Sequence, residues 1–178
     1  MNKRILFAVM VVAQLCVPAW MIASQETVLK KGTVYRFKTA PVDPYDAFRG
    51  RYVWLSTELR SAPYANKKEM FSGRTIYVVL EQNSEGFAAV KEVKLSPPQG
   101  EDYIKTKANY YYNQQVHFNL PLSRFYMNEQ KAPQAERLYR ENNRRDKRDA
   151  YITARVHKGS VVIEDLYVAG QPIMDYFK

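Results

Sequence analysis

The feature that most limits how this chain can fold is an uncharged, mostly apolar run from Ile5 to Ala23. A helix needs about 20 predominantly apolar residues to cross the hydrocarbon core of a bilayer, and this run has that length. Lys3 and Arg4 precede it, and positive charges favour the cytoplasmic side of a membrane span. The sequence therefore predicts a single-pass anchor in residues 1–24 and a domain outside the cytoplasm in residues 25–178.

Two other interpretations of the run stay open. A cleaved signal peptide needs small residues at its processing site, and Val17-Pro18-Ala19 provides a mediocre one. A buried helix of a globular domain would also be apolar. A lipoprotein is not expected, because Leu15 stands directly before Cys16, where a small residue is required.

The cysteine content limits the chemistry of the domain. Cys16 is the only cysteine among 178 residues, and it lies inside the apolar run. The domain therefore has no intramolecular disulfide and depends on its own core, which a chain of about 150 residues can form. The two histidines, His117 and His157, belong to no close-spaced ligand motif, so we expect neither a metal site nor a cofactor.

Residues 41–57 combine turn-forming and strand-forming residues at high density. Asp43-Pro44 favours a tight turn, because aspartate can cap a helical turn and proline suits its first position. Gly50 can adopt a positive φ and redirect the chain, and from Tyr52 to Thr57 successive side chains should face opposite sides of a strand. We expect a structural corner, with a ligand site as the alternative. Its residues are Asp43, Pro44, Asp46, Arg49, Gly50, Arg51, Tyr52 and Leu55.

One motif within this corner reads Gly50-Arg51-Tyr52-Val53-Trp54-Leu55-Ser56-Thr57. It resembles the signature of the bacterial GDYXXLXY proteins. This chain departs from that signature at two positions, where Arg51 replaces the motif's Asp and Thr57 replaces its final Tyr. The resemblance covers most of residues 5–175 and includes a loop, Tyr126-Met127-Asn128-Glu129, that follows a strand.

Members of that family are often encoded beside polytopic membrane proteins, so the resemblance implies such a protein as the partner. With the predicted topology, it implies an inner-membrane anchor and a periplasmic domain. No role of the family's aspartate can be carried over to Arg51. The leading hypothesis is a non-enzymatic accessory or interaction subunit of a membrane-protein complex.

Hydrophobic periodicity predicts about eight strands and one soluble helix. The predicted strands are 33–39, 52–57, 75–81, 87–95, 103–107, 110–118, 150–156 and 160–168. We expect a loop with one helical turn over 59–73 and a turn-like connection over 120–126. The fold class is then mainly β (α+β), either an antiparallel β-sandwich or a partly closed barrel with one amphipathic helix.

The soluble helix is predicted over residues 132–148 and is strongly basic on one side. The whole chain has a formal net charge of +9, to which this segment contributes. We expect a solvated basic face over an apolar face that packs on a sheet, with anionic lipid or an acidic partner as the alternative. Nucleic acid is not expected outside the cytoplasm. The contact candidates are Arg137, Arg140, Arg144, Arg145 and Arg148.

Two further candidate sites remain as alternatives. Tyr110 to Tyr112 must face both sides of a strand, so at least one ring is exposed, and Tyr111 could stack on a glycan, although cross-strand pairing is favoured. An envelope-facing enzyme would use Asp43, Asp46 or Glu129 as acid or base. Turn and capping chemistry explains Asp43 and Asp46 better, and Glu129 could equally accept from backbone N–H groups at the start of the helix.

Overall fold

A computed structural model of the protein describes residues 3–41, 52–144 and 147–177. Within these ranges the chain forms two α-helices and eleven strands, with 3-10 turns at Lys67–Glu69 and Ile173–Phe177. The helices are α1 (Lys3–Lys31) and α2 (Ala132–Asn142). The strands are β1 (Thr33–Lys38), β2 (Tyr52–Trp54), β3 (Ser61–Pro63), β4 (Thr75–Gln82), β5 (Ala88–Lys94), β6 (Tyr103–Tyr112), β7 (Gln115–Phe118), β8 (Arg124–Tyr126), β9 (Ala150–His157), β10 (Ser160–Val168) and β11 (Gln171–Pro172).

The strands form two antiparallel sheets and a separate ribbon. One sheet has the order β1-β9-β10-β11, and the other has the order β3-β7-β6-β4-β5. The five-stranded sheet curls until its edge strands β3 and β5 contact each other, so it is nearly closed as a barrel. β2 and β8 pair as the two-stranded ribbon. The predicted fold class is confirmed.

A single hydrophobic cluster joins the two sheets, the ribbon and α2. Strand β9 shows the period of two most clearly, because every second side chain from Ala150 to Val156 is buried. Val78 and Val79 of β4 are both fully buried although they face opposite sides. The uninterrupted apolar centre of this strand therefore reflects burial on both faces, as predicted.

Three hairpins turn through two residues that both have positive φ, which is the type I′ geometry that matches strand twist. These pairs are Asn113-Gln114, Lys158-Gly159 and Ala169-Gly170. The prediction of separate strands over 103–107 and 110–118 was wrong, because β6 runs without a break and the turn falls at Asn113. Without a glycine, this turn carries little sequence signal.

Other boundaries differ from the predictions for physical reasons. The segments predicted as loop and connection contain β3 and β8, which are only three residues long. The soluble helix ends at Asn142 and not at Arg148. Its termination has a local cause, since Asn142 Nδ2 donates to Leu138 O at 2.9 Å and Asn142 O accepts from the Asp149 N–H at 2.9 Å.

Helix α1 runs beyond the apolar segment and joins the domain through a single residue. It is long and apolar enough to cross a membrane, and most of its large apolar side chains are exposed. Val28 is its one buried side chain among those described, and Gly32 separates the helix from β1. A Cβ on Gly32 would lie 2.5 Å from Val28 O and 3.0 Å from Arg155 Cβ. The junction is therefore closely packed.

Candidate functional site

The corner predicted around Asp43 falls mostly outside the described residues. Asp43, Pro44, Asp46, Arg49, Gly50 and Arg51 all lie there, and so does Arg145 of the basic segment. Their roles stay predictions. The described part of the motif is β2 and the residues that follow it.

The motif strand alternates as predicted. Val53 and Leu55 are buried at 0% and 2% exposure, whereas Trp54 is 41% exposed. Leu55 therefore belongs to the core, and Tyr52 shares the outward face with Trp54. The two described residues that match the motif, Tyr52 and Leu55, therefore lie on opposite faces of the strand.

The outward face of the ribbon carries a cluster that we call the motif patch: Tyr52, Trp54, Arg124 and Tyr126. The Arg124 guanidinium lies 5.2 Å from the Tyr52 ring centroid and 5.6 Å from that of Trp54. The Tyr52 and Tyr126 rings meet edge to face, with centroids 5.7 Å apart. Tyr126 is 66% exposed, so the patch presents aromatic surface and a cation to solvent.

A cleft of about 400 Å³ adjoins the motif patch at Trp54. Arg60 lines it, with Nε donating to Thr57 O at 3.1 Å and the guanidinium also bonded to the Ser56 hydroxyl. These two bonds hold the Arg60 guanidinium against the backbone and side chain of the motif segment, at the edge of the cleft.

Below the ribbon, a buried polar group connects α2 to the residues that precede the corner. Asn143 Nδ2 donates to Ala40 O at 3.0 Å and to the Tyr139 hydroxyl at 2.8 Å. Burial raises the pKa of the Tyr139 phenol, and hydrogen bonds with Thr39, Asn143 and the Ser56 backbone oppose that rise. These bonds fix the position of α2 relative to β1 and the ribbon.

The described basic candidates of the α2 segment lie in two different settings. Arg137, Arg140 and Arg144 line a cleft of about 360 Å³ beside Pro41. Arg148 instead pairs with Glu58, with Nη1 and Oε1 3.6 Å apart and both side chains exposed. Exposed pairs of this kind contribute little to stability.

Glu129 and Tyr111 lie apart from the motif patch in different settings. Glu129 is exposed in the turn before α2, where the Asn128 side chain accepts from the Gln130 N–H at 2.9 Å. Tyr111 is half-buried, and its hydroxyl donates to Tyr64 O at 2.8 Å.

The neighbours of Tyr111 are the exposed rings of the tyrosine run. Tyr110 stacks on His117 with centroids 4.3 Å apart, which is the cross-strand pairing that was expected. Tyr112 is 72% exposed. At least one ring of the run is therefore exposed, as predicted.

Sequence analysis did not select Trp54 or Arg124 as site residues. Alternation from Tyr52 would have placed Trp54 on the same face, but Arg124 lies in a segment predicted to be a turn. Among the described residues, no group of three or more His, Cys, Asp or Glu side chains could hold a metal ion.

Comparison with known proteins gives one match. A family model described as "GDYXXLXY protein" matches residues 14–166, which is most of the chain. No curated protein and no solved structure matches.

Proposed function

This chain belongs to the GDYXXLXY family, and on that basis we propose that it is the membrane-anchored accessory or interaction subunit of a membrane-protein complex. Helix α1 is the proposed anchor, in the inner membrane with Lys3 and Arg4 on the cytoplasmic side. The β-rich domain then lies in the periplasm. The proposed partner is a polytopic membrane protein, and the proposed contact surface is the motif patch.

The observation that supports this proposal most directly is the composition of the motif patch. Tryptophan, tyrosine and arginine are the residues that most often dominate the binding energy of protein interfaces. The patch places all three types together, with Trp54 41% and Tyr126 66% exposed. The Arg124 guanidinium already lies over two rings, so little side-chain entropy remains to be lost on binding.

The position of the motif patch suits a contact above the membrane surface. β1 leads away from α1, and Thr39 at its far end bridges Thr57. Six residues of strand correspond to about 20 Å. The chain around Thr57 runs antiparallel to the chain around Thr39. Trp54, three residues before Thr57, is therefore at least as far from α1 as Thr39. This position supports a proposed contact with a periplasmic loop or domain of the partner.

Affinity purification of the full-length protein from detergent-extracted membranes tests the proposal. We expect one polytopic membrane protein to co-purify with the wild type, and Trp54→Ala to lose it. Phe71→Ala is the matched control, because Phe71 is also an exposed ring (60%) beside an arginine, with Arg74 5.4 Å from its centroid. If the wild type retains no membrane protein, the accessory role is wrong. If Trp54→Ala retains it, the patch is not the contact.

A further inference from the structure

A cleft of about 440 Å³ lies between α1 and the tip of the β9–β10 hairpin. Its wall on the helix side consists of one helical face with the spacing i, i+3, i+4, i+7, i+8 and i+11. Those residues are Trp20, Ala23, Ser24, Thr27, Val28 and Lys31, and the hairpin contributes His157, Lys158 and Ser160. None of these lining residues is acidic.

The hairpin tip reaches back along α1 towards the apolar segment. Thr33 pairs with Val156, so β9 continues past the start of β1 in the opposite direction. On its other side the tip is held by the barrel, since Gly159 O accepts from the Lys105 N–H at 2.9 Å. The cleft is thus a fixed gap between two ordered walls.

The depth of the cleft in a bilayer follows from the helix rise. If Lys3 and Arg4 lie at the cytoplasmic surface, the 20 residues that follow span about 30 Å, and the hydrocarbon core ends near Ser24. Trp20 then lies near the interface, where indole rings concentrate. The hairpin tip, which lines the cleft opposite Ser24 and Thr27, is then at the level of the phospholipid headgroups. The Lys31 Cα lies about 10 Å beyond Ser24, and its side chain leans back towards the headgroups because helical side chains tilt towards the N-terminus.

Two lysine ammonium groups line the cleft. Neither Lys31 nor Lys158 makes an ion pair with any residue that the structure describes, and both are exposed. Glu26 is the nearest acid along α1, but it pairs with Lys30 at 3.2 Å on a different face of the helix. The cleft is therefore cationic, and Ser24 and Ser160 add hydroxyl donors. The Thr27 hydroxyl already donates to Ala23 O at 2.7 Å.

The backbone at the hairpin tip is unfavourable for the residue it carries. Lys158 has a φ of 47° at the first position of a type I′ turn, where asparagine, aspartate or glycine is preferred. A lysine at this position costs conformational energy that a turn residue would avoid.

We propose that this cleft binds the phosphate headgroup of an anionic phospholipid in the leaflet that faces the domain. Lys31 and Lys158 contact the phosphate, the Ser24 and Ser160 hydroxyl groups donate to its oxygens, and Trp20 packs against the glycerol and upper acyl chain. The inference rests on the membrane anchoring in the proposed function. It does not depend on the identity of the protein partner.

Native mass spectrometry of the full-length protein in detergent tests this site. The probe is an equimolar mixture of phosphatidylglycerol and phosphatidylcholine with identical acyl chains. We expect wild type to favour phosphatidylglycerol, and Lys158→Asn and Lys31→Gln each to lower that preference about fivefold. Asparagine suits the positive φ, so Lys158→Asn should unfold at the same or a higher temperature than wild type.

The matched control is Lys67→Asn, which removes the same charge from the far part of the barrel. Lys67 follows Tyr64, whose N–H donates to Gln114 O, whereas the hairpin tip is bonded to Lys105. Gln114 is nine residues along β6 and its turn from Lys105, so Lys67 is roughly 20–30 Å from the tip. We expect this variant to keep the wild-type preference. An equal loss in Lys67→Asn, or no loss in Lys158→Asn and Lys31→Gln, would overturn the site.

Two further measurements separate the remaining explanations. Dissolved glycerol phosphate should not displace the lipid, and displacement would show that the cleft takes soluble phosphates instead. Carbonate washing should leave the protein in the membrane fraction. Release by carbonate would contradict the proposed anchoring itself, whereas retention without a phosphatidylglycerol preference would overturn the headgroup site alone.

Discussion

The Tyr35 hydroxyl donates a hydrogen bond to Asp102 Oδ2 at 3.2 Å, which joins β1 of the four-stranded sheet to the start of β6 in the barrel. Burial and the neighbouring Asp102 carboxylate raise the pKa of this phenol to about 12. The raised pKa means that the folded state favours the protonated phenol more strongly than the unfolded state does.

This bond predicts a specific alkaline instability. The contribution of Tyr35 is complete below pH 10, its ordinary pKa, and is lost as the pH rises towards 12. Tyr35→Phe should therefore show a smaller loss of unfolding free energy than wild type between these values, as measured by denaturant unfolding followed by circular dichroism. Tyr112→Phe alters an exposed ring (72%) and should behave as wild type. Equal slopes in Tyr35→Phe and wild type would contradict the coupling.

Leu55 and Trp54 are neighbours that we expect to respond differently to truncation. Leu55→Ala removes a side chain that is 2% exposed and should cost about 2–5 kcal/mol of unfolding free energy. Trp54→Ala should cost less than about 1 kcal/mol, because its ring projects into solvent. Thermal and denaturant melting of both variants measures the difference, and a larger loss in Trp54→Ala would show that the motif patch is part of the core.

Asn143 should be important for stability although it is polar. Asn143→Ala removes its bonds to Ala40 O and the Tyr139 hydroxyl and leaves both groups without that donor, at a cost of about 1–3 kcal/mol. Asn66→Ala is the comparison, since the Asn66 side chain makes no capping bond. We expect the comparison variant to melt within a degree or two of wild type.

The junction after α1 should not tolerate a side chain. Gly32→Ala places a Cβ 2.5 Å from Val28 O, which forces the backbone to shift at a cost of about 1–3 kcal/mol. Gly86→Ala is the comparison variant, because a Cβ there meets no atom within 4 Å. Only the φ of 78° disfavours alanine at this position, and we expect a loss of about 1–2 kcal/mol of unfolding free energy. A Gly32→Ala protein as stable as wild type would show that the junction yields easily.

The topology is tested by fusing reporters after Lys178. Alkaline phosphatase, which is active only outside the cytoplasm, should be active there, and a fluorescent protein that matures only in the cytoplasm should be dark. The physical reason is the charge of Lys3 and Arg4 before the apolar run. The reverse pattern would contradict the proposed periplasmic location.

The sequence predicts elements whose own pattern is strong. The length of the uncharged apolar run indicates a helix, and the alternation of Ala150, Ile152 and Ala154 indicates which side chains are buried, so α1 and β9 were predictable. Strands β3 and β8 were not, because three residues carry no period and pairing with β7 and β2 creates them. The site divides in the same way, since alternation places Trp54 beside Tyr52, whereas the proximity of Arg124 depends on that tertiary pairing.

The single-residue connection at Gly32 has a mechanical consequence. With no free linker between α1 and β1, the domain and α1 would move as one body, and if α1 spans the membrane as proposed, a tilt of α1 would move the domain. A 10° change in the tilt of α1 would move the motif patch, about 20 Å beyond the start of β1, by roughly 3–4 Å. A change in the tilt of the helix inside the membrane would thereby change the position and orientation of the motif patch outside it.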